Sequence, residues 1–434
     1  MSSNPRQLLP PLLMMTALLI PLACDDAGGD ADTDSDSDTD TGAEVLPFDP
    51  AGPGAAPDPM TWGPFAVGVR TVDLYDERRI DEETGEGRHL RTEIWYPALQ
   101  QHRDGPFEVL EFKAEAEEFV LPEKVQIILD AEIPMPELHQ VRGAEIDHTH
   151  GPYPVVFFSH GANGVRFQSP FFCTHLASHG YLVVAPDHVH NTIWDIFNDG
   201  FQGDQLVVSL AKRTKDIHFL LDTLEDWDRE EGHWLQGLVD EDRIASSGHS
   251  AGGITSFALP CQDERYDAIV AHSPVISAGV GIGACDLSHY PVPTLTQGGN
   301  LDRTVAWCMQ YCEYRSMLQG PQPKFLYELI DGGHFTFSDI CKLDLVPIAE
   351  QLGLGDDARR ILGDGCDPEN VALDKAYPTI NHYAAAFLNW QLRGSAGSRD
   401  YLVERAEAPF DVANFFEGDV PDLAPDGCEA CEGF

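Results

Sequence analysis

A serine between two closely spaced glycines is the strongest chemical signal in this sequence. Residues Gly248-His-Ser-Ala-Gly252 form the pattern G-x-S-x-G, which follows a short strand-like run and precedes a run of helical character. In this pattern the serine lies on a sharp turn with its hydroxyl exposed at a sheet edge, and the glycines leave room for the backbone on both sides. The pattern predicts Ser250 as a nucleophile. The alternative is a small-residue strand-to-helix turn without chemistry.

A nucleophilic serine needs a general base, and the base needs an acid that orients it. Two loops after apolar strands supply these residue types in the expected chain order. The strand Val292–Gln297 leads to a loop that ends at Asp302, and the strand Lys324–Ile330 leads to Asp331-Gly-Gly-His334. We predict Asp302 as the acid and His334 as the base. Asp331 is a competing acid, but its position three residues before His334 is typical of a turn. The alternatives are that Asp302 is a surface turn residue and that His334 is a histidine whose hydrogen bonds are satisfied within its loop.

Acyl transfer also requires two backbone N–H groups that bind the oxyanion. One belongs to the residue after the nucleophile, Ala251. The other is expected from the loop His160-Gly-Ala162, which follows the apolar strand Pro154–Ser159. We predict Ala162 as the second donor, and His160 as a structural residue that holds this loop.

These motifs lie at the ends of predicted strands that alternate with helices. Such alternation predicts one α/β domain with a mostly parallel central sheet flanked by helices. Apolar residues at 206, 210, 217, 221 and 224 share one face of a predicted helix that covers the core. Thr379–Leu392 is the predicted last helix, and Gly394 is its stop signal. The long segment 101–152 carries a predicted helical run over Glu108–Phe119, which we expect near the mouth of the site.

Three stretches of the chain resemble the α/β-hydrolase superfamily, namely Val155–Gly161, Leu176–His188 and Gly248–Gly253. The most similar subgroup is the platelet-activating-factor acetylhydrolase and polyester-hydrolase (cutinase-like) group. The segments Gly63–Val72 and Leu90–Pro97 resemble the opening strand pair of that group. The resemblance covers approximately residues 62–392.

The resemblance implies a nucleophile at Ser250, a base at His334, an acid at Asp302 and oxyanion donors at Ala162 and Ala251. Polyester hydrolases usually carry an aromatic residue at the position of Ala162 and often carry a methionine at that of Ala251. These two departures argue against a polymer substrate.

The ends of the chain differ in composition from its middle. Residues 1–24 resemble a secretory signal with a bacterial lipoprotein-type cleavage site, so we expect Cys24 to become the lipidated N-terminus, with plain secretion as the alternative. The acidic, low-complexity residues 25–60 are a predicted tether. We assign 61–394 to the catalytic domain and 395–434 to an acidic, cysteine-containing C-terminal extension.

Charge and cysteine content restrict the possible partners and the compartment. The net charge of −45 argues against nucleic-acid binding. Ten cysteines in an envelope protein permit disulfides, although sequence alone does not fix their connectivity. By proximity we predict the pairs Cys341–Cys366, Cys261–Cys285 and Cys428–Cys431. Cys173 lies in an apolar helix start and is a predicted buried free thiol.

The sequence as a whole predicts a serine esterase of α/β-hydrolase fold, anchored in the bacterial cell envelope. We expect a small ester or lipid substrate, no cofactor, no metal, and membrane contact only through the N-terminal anchor. The same residues are compatible with a thioesterase, a lactonase or a peptidase. A surface lipoprotein that keeps the fold as a binding module is the alternative outside enzymes.

Overall fold

A ten-stranded, mostly parallel sheet organises the protein. The computed structural model describes residues 56–200, 203–403 and 413–418. The predicted signal sequence, Cys24, most of the predicted tether and the predicted Cys428–Cys431 pair lie outside the described residues.

The strands are β1 (Ala66–Ile80), β2 (Gly87–Ala98), β3 (Glu108–Val109), β4 (Glu137–Leu138), β5 (Val141–Arg142), β6 (Tyr153–Ser159), β7 (Leu182–Pro186), β8 (Val239–His249), β9 (Ala268–His272), β10 (Thr294–Gly299), β11 (Lys324–Leu329) and β12 (Ala413–Glu417). The α-helices are α1 (Phe112–Phe119), α2 (Pro122–Asp130), α3 (Pro170–Ser178), α4 (Ile193–Asp199), α5 (Gly203–Arg229), α6 (Ala251–Ala258), α7 (Ile276–Gly283), α8 (Trp307–Met317), α9 (Val346–Gln351), α10 (Gly355–Leu362), α11 (Leu373–Arg393) and α12 (Ala396–Val403).

The strand order is β12-β11-β10-β9-β8-β6-β7-β2-β1-β5. Strands β7, β6, β8, β9, β10 and β11 are parallel, whereas β2 and β12 pair antiparallel with β7 and β11. The carboxyl ends of parallel strands meet at one edge of a sheet, where sites in such folds are built. The four predicted site loops follow β6, β8, β10 and β11, so this topology gathers them at that edge. The predicted α/β fold is confirmed.

The two faces of the sheet bury alternate residues of each central strand, as the period of two requires. In β6, Val155 and Phe157 pack in a cluster with residues of α5, while Val156 and Phe158 pack in a cluster with residues of α3 and α11. All four side chains are fully buried. Helices cover both faces and leave the carboxyl edge of the strands for the loops.

The two predicted helices are present with longer bounds. The helix predicted around residues 206–224 is α5, and its positions 210, 217, 221 and 224 are buried. The last predicted helix was placed too late, because α11 begins at Leu373 and passes through Pro378. Pro378 lies in the second turn, where it removes one intrahelical hydrogen bond, and burial of Ala376 and Tyr377 in the core offsets this loss. Gly394 ends α11 with a φ of +65°, as its predicted role requires.

The cysteine predictions that fall on described residues are confirmed. Cys261–Cys285 and Cys341–Cys366 form disulfides, and Cys173 is a buried free thiol. Cys308 and Cys312 are also disulfide-bonded. Burial raises the pKa of the Cys173 thiol well above its ordinary value.

Part of the predicted C-terminal extension joins the sheet, because β12 pairs antiparallel with β11 along its whole length. A search of the described residues for a helix long and apolar enough to cross a membrane gave no match.

Candidate active site

Ser250 lies at the junction of β8 and α6 in a conformation that non-glycine residues seldom adopt. Its φ is +54° and its ψ is −115°. Such a backbone stores strain that the surrounding structure must offset. The Ser250 N–H donates a hydrogen bond to the carbonyl of His272 at 2.8 Å, which ties the turn to the neighbouring strand β9.

The glycines of the motif are required by close backbone packing. A Cβ at Gly252 would lie 1.7 Å from the carbonyl oxygen of Ser159. A Cβ at Gly248 would lie 2.5 Å from the carbonyl group of Gly252. Neither neighbour is a flexible side chain, so only glycine fits at these positions. The end of β6 therefore packs directly against the turn that carries Ser250, which we call the elbow.

The predicted acid and base form a buried hydrogen-bonded pair. His334 Nδ1 and Asp302 Oδ2 are 2.9 Å apart, and both residues are more than nine-tenths buried. The second oxygen, Oδ1, accepts hydrogen bonds from the N–H groups of Thr304 and Val305, at 2.9 and 2.7 Å. These bonds fix the plane of the carboxylate. The competing acid, Asp331, lies in an exposed turn with a φ of +58°.

Ala162 and Ala251 lie on the loop after β6 and on the first position of α6. In the part of the chain that the structure describes, neither of their N–H groups donates a hydrogen bond to the protein. The Ala251 N–H belongs to the first turn of a helix, whose N–H groups have no intrahelical acceptor and carry a partial positive charge. Both groups are therefore suited to an incoming anion.

A buried arginine, Arg213, binds the carbonyl groups of the loop after β6. The Arg213 guanidinium, on α5, donates to the carbonyl oxygens of His160 and Gly161 and to the side-chain oxygen of Asn191. His160 Nδ1 lies 2.7 Å from the Gly161 carbonyl oxygen, and its Nε2 accepts the N–H of His188. His160 thus serves the loop, as predicted. Burial lowers the pKa of Arg213 to about 9 and that of His160 well below its ordinary value.

A further side chain, Gln168, joins the loop after β6 to His249, which in turn contacts the backbone of His334. Its Oε1 accepts the N–H of Gly161 at 2.8 Å, and its Nε2 donates to His249 Nδ1 at 2.8 Å. The other ring nitrogen of His249 donates to the carbonyl oxygen of His334 at 2.9 Å. Burial lowers the pKa of His249 well below its ordinary value, so the ring is neutral and keeps this donor–acceptor arrangement.

Sequence reasoning missed Gln168 and Arg213. Glutamine and arginine carry no motif of their own, and Arg213 lies on a helix that the sequence analysis treats only as a cover of the core. One available signal was the pair of glycines at 161 and 164. A Cβ at Gly164 would lie 2.2 Å from Gln168 Oε1, so a larger residue at 164 would displace the glutamine side chain.

Ser250, His334 and Ala162 line one pocket of about 280 Å³ at the carboxyl edge of the sheet. Most of its wall is apolar, from residues of α4, of the turn after β11 and of α10: Ile193, Ile196, Phe197, Phe335, Ile340, Leu354, Ile361 and Leu362. Polar groups converge on it from Asn163, Arg303, Thr304 and Arg360. An apolar wall with a few polar groups is typical of a small-molecule site.

The segment 101–152 supports the pocket from behind. None of its residues lines the pocket. Phe112 of α1 and Ile128 of α2 belong to the same buried cluster as Trp194 and Phe197 of α4 and Ile348 of α9. The predicted helical run is shorter than expected, because residues 108–109 form β3 and pair with β4, and the helix begins at Phe112.

A search of the described residues for three or more His, Cys, Asp or Glu side chains that could hold a metal ion found no such group.

Comparisons with known proteins agree with this fold. Residues 144–286 match the chlorophyllase family, and residues 59–200 match the family described as platelet-activating factor acetylhydrolase, isoform II. The chain is 26% identical over 147 residues to platelet-activating factor acetylhydrolase from Canis lupus familiaris, covering 26% of this chain and 33% of that protein. It is 27% identical over 139 residues to chlorophyllase type 0 from Chenopodium album, covering 30% of this chain and 37% of that protein. The chain thus spans about a third of the length of either relative.

Among solved structures, a ferulic acid esterase from Streptomyces cinnamoneus superposes with a TM-score of 0.59 at 23% identity. The match covers 81% of this chain and 96% of that one. The sheet, the turn that carries Ser250 and these similarities show an α/β-hydrolase fold. In sequence, parts of the chain are similar to the acetylhydrolase and chlorophyllase families named above.

Proposed function

We propose that the protein is a serine hydrolase that cleaves carboxylic esters through an acyl-enzyme. One observation carries the proposal. Ser250, on its strained turn, lines the same pocket as His334, and His334 Nδ1 lies 2.9 Å from the buried carboxylate of Asp302. This is the arrangement of a nucleophile, a general base and an orienting acid. The names of two similar proteins, an acetylhydrolase and a ferulic acid esterase, support ester substrates.

In the first half of the proposed reaction, Ser250 Oγ attacks the ester carbonyl carbon while His334 Nε2 takes the hydroxyl proton. Asp302 keeps the proton of Nδ1 on the far side of the ring and stabilises the imidazolium that forms. The carbonyl oxygen becomes an oxyanion, which the N–H groups of Ala162 and Ala251 bind. When the tetrahedral intermediate collapses, the C–O bond breaks and His334 gives its proton to the departing alcohol.

In the second half, water attacks the acyl-enzyme. His334 takes a proton from the water, the oxyanion forms again, and collapse releases the carboxylic acid as the proton returns to Ser250 Oγ. The proposed donors need no rearrangement, because Arg213 holds the loop of Ala162 and the helix α6 begins at Ala251. Donors that need no rearrangement account for much of the rate of such enzymes.

The pocket favours an acyl group of modest size. Its apolar wall would bind a hydrocarbon or aromatic acyl chain by the hydrophobic effect, and its volume of about 280 Å³ is at the small end for ligand sites. We therefore propose small to medium carboxylic esters as substrates, with activity that falls as the acyl chain outgrows the pocket.

The test is hydrolysis of p-nitrophenyl esters of increasing acyl length by the full chain, beside Ser250→Ala. Activity that disappears in the variant supports the proposal, and its dependence on chain length measures the acyl pocket. Activity that persists in the variant would identify a different nucleophile. Thioester, lactone and peptide substrates in the same assay would separate an esterase from related acyl-transfer enzymes. A folded wild type that hydrolyses none of them would favour the binding-module alternative.

We also propose that the enzyme is anchored in the bacterial envelope through a lipid on Cys24, which lies outside the described residues. The sequence Leu22-Ala-Cys24 after an apolar run supports this. Metabolic labelling with a fatty acid tests it. Label in the wild type and none in Cys24→Ser is the expected result, whereas an unlabelled wild type released into the medium would indicate secretion.

A further inference from the structure

Asp364 lies between the two loops that carry the predicted acid and base, and it is 1% exposed. It follows α10, about thirty residues after His334 in the chain. One carboxylate oxygen, Oδ1, accepts the backbone N–H of His334 at 3.2 Å. The other, Oδ2, accepts the backbone N–H of Arg303, the residue after Asp302, at 3.0 Å. A single carboxylate therefore contacts the backbone of both loops.

Further contacts of the same residue strengthen this link. Thr304 donates its hydroxyl to Asp364 Oδ2 at 2.7 Å and its N–H to Asp302 Oδ1 at 2.9 Å, so it joins the two carboxylates. The carbonyl oxygen of Asp364 accepts the N–H of Phe335 at 2.7 Å. The Asp364 carboxylate thus accepts three hydrogen bonds and lies 3.6 Å from the Arg303 guanidinium, and these contacts offset the cost of its desolvation.

The backbone around Asp364 is packed so closely that it admits no side chain. A Cβ at Gly333 would lie 2.5 Å from the Cα of Gly365 and 2.9 Å from Asp364 Oδ1. Gly365 has a φ of +103°, and a Cβ there would lie 2.7 Å from the N–H nitrogen of Thr336. The segment after α10 is thus fitted against the turn that carries His334.

We propose that Asp364 is a positioning residue that sets the separation of the base His334 from the acid Asp302. The inference rests on the proposed function for its catalytic meaning. The 2.9 Å contact between Nδ1 and Oδ2 spans two loops from different strands, and Asp364 holds the backbone of both. Loss of the carboxylate frees either loop to shift, and a shift of about 1 Å in reacting groups costs on the order of a hundredfold in rate.

The test compares full-length Asp364→Ala, Asp364→Asn and Asp367→Asn with the wild type. Asp367 is the matched control, because its carboxylate also contacts Arg303, at 2.8 Å from the guanidinium. It is far more exposed than Asp364. Two quantities are measured at a temperature where circular dichroism shows all variants folded. They are kcat and KM for p-nitrophenyl acetate, and the downfield proton NMR signal of His334 Nδ1–H, assigned by its loss in His334→Ala.

We expect kcat to fall about a hundredfold in Asp364→Ala with KM changed less than about threefold, because substrate binding does not involve Asp364. The Nδ1–H signal should broaden as its proton exchanges faster with water. The kcat of Asp364→Asn should fall only about tenfold, because the amide oxygen of the asparagine still accepts one of the two N–H groups. Asp367→Asn should stay within about twofold of the wild type in both quantities.

The proposal is overturned if folded Asp364→Asn and Asp364→Ala keep the wild-type Nδ1–H signal and a kcat within about twofold of the wild type. If Asp364→Ala does not fold, the result for Asp364→Asn alone decides whether the proposal stands. A wild type without esterase activity, whose Nδ1–H signal is nonetheless lost on substitution of Asp364, would support the positioning role and contradict the proposed function. The NMR measurement therefore separates the two failures.

Discussion

The candidate site consists of two closely packed halves that depend to different extents on side-chain hydrogen bonds. The nucleophile half comprises residues 159–168 and 248–253, and the acid–base half comprises residues 299–305 and 331–337. In the nucleophile half, the backbones of β6 and the elbow touch at Gly252, with no room for a Cβ. In the acid–base half, the loops are also joined by side chains, chiefly through the Asp302–His334 pair and the three hydrogen bonds to the Asp364 carboxylate.

This difference indicates which changes each half will tolerate. The nucleophile half should fail when atoms are added, because its backbone contacts cannot relax. The acid–base half is packed as closely, since a Cβ at Gly299 would lie 2.3 Å from the Gly332 carbonyl oxygen, but its two loops are also joined by buried side-chain hydrogen bonds. It should therefore fail when polar atoms are removed as well. The family matches end at residue 286, so they cover only the nucleophile half. Substitutions can therefore test the acid–base half, which lies outside both family matches.

The largest effect is expected for Gly252→Ala. The added Cβ would meet the Ser159 carbonyl oxygen at 1.7 Å, so either the elbow or the end of β6 must move. We expect loss of esterase activity by more than about a thousandfold and destabilisation of about 4 kcal/mol or more. Urea unfolding and p-nitrophenyl ester hydrolysis measure the two quantities.

The control is Gly281→Ala on the exposed side of α7, where an added Cβ would meet nothing within 4 Å. Alanine is favoured over glycine inside a helix by about 0.5–1 kcal/mol, so this variant should be slightly more stable and fully active. If Gly252→Ala behaves like Gly281→Ala, then backbone packing does not hold the elbow.

Removal of the acid is expected to have the next largest effect. In Asp302→Asn, an amide N–H group or a neutral oxygen replaces the charged acceptor at His334 Nδ1, which favours the wrong tautomer. We expect kcat to fall by about 10³–10⁴ with little change in KM. The matched control is Asp331→Asn, the competing acid in the exposed turn. An equal loss in both variants, or a loss only in Asp331→Asn, would exclude Asp302 as the acid.

Gln168→Leu tests the one side-chain link within the nucleophile half. Leucine keeps the shape of the side chain but removes both hydrogen bonds, to the Gly161 N–H and to His249. Because the steric contacts remain, we expect a loss in kcat of only about ten- to thirtyfold, less than for a direct oxyanion donor. The control is Gln140→Leu, which removes a comparably buried amide bonded to Trp95 and Thr174 away from the pocket. That variant should lose stability and keep its kcat.

The fold could be predicted, and a candidate nucleophile proposed, from the sequence for a physical reason. Glycines that a turn requires, strands with a period of two and helices with a period of 3.6 are local patterns, so β8, Ser250 and α6 were readable from a few adjacent residues. Side-chain partners far apart in the chain leave no such pattern. Gln168, Arg213 and Asp364 were missed because nothing near them in the sequence records their contacts.

Helix bounds failed for a related reason. The sequence predicted that the last helix begins at Thr379, directly after Pro378. The helix instead begins at Leu373, because Ala376 and Tyr377 are buried in the core formed with the sheet. Tertiary packing outweighed the local signal, as it also did at residues 108–109, where pairing with β4 replaced the predicted helix.

The smallest effect on catalysis is expected from removing the Cys341–Cys366 disulfide in the double variant Cys341→Ala/Cys366→Ala. This bond closes the segment that carries Leu354, Ile361 and Leu362 into the pocket wall and Asp364 against the two loops. Without it the segment gains freedom, so KM should rise about three- to tenfold while kcat changes less. By the chain-entropy estimate, unfolding should become easier by about 3 kcal/mol.

The second disulfide provides a control of nearly equal loop length. Cys261 and Cys285 are 24 residues apart, against 25 for Cys341 and Cys366, so the entropic cost of losing either bond is nearly the same. Neither Cys261 nor Cys285 lines the pocket. Cys261→Ala/Cys285→Ala should therefore lose similar stability and keep a wild-type KM. Equal kinetics in the two double variants would show that the closed segment contributes stability alone, and that Asp364 reaches the acid–base half without help from the disulfide.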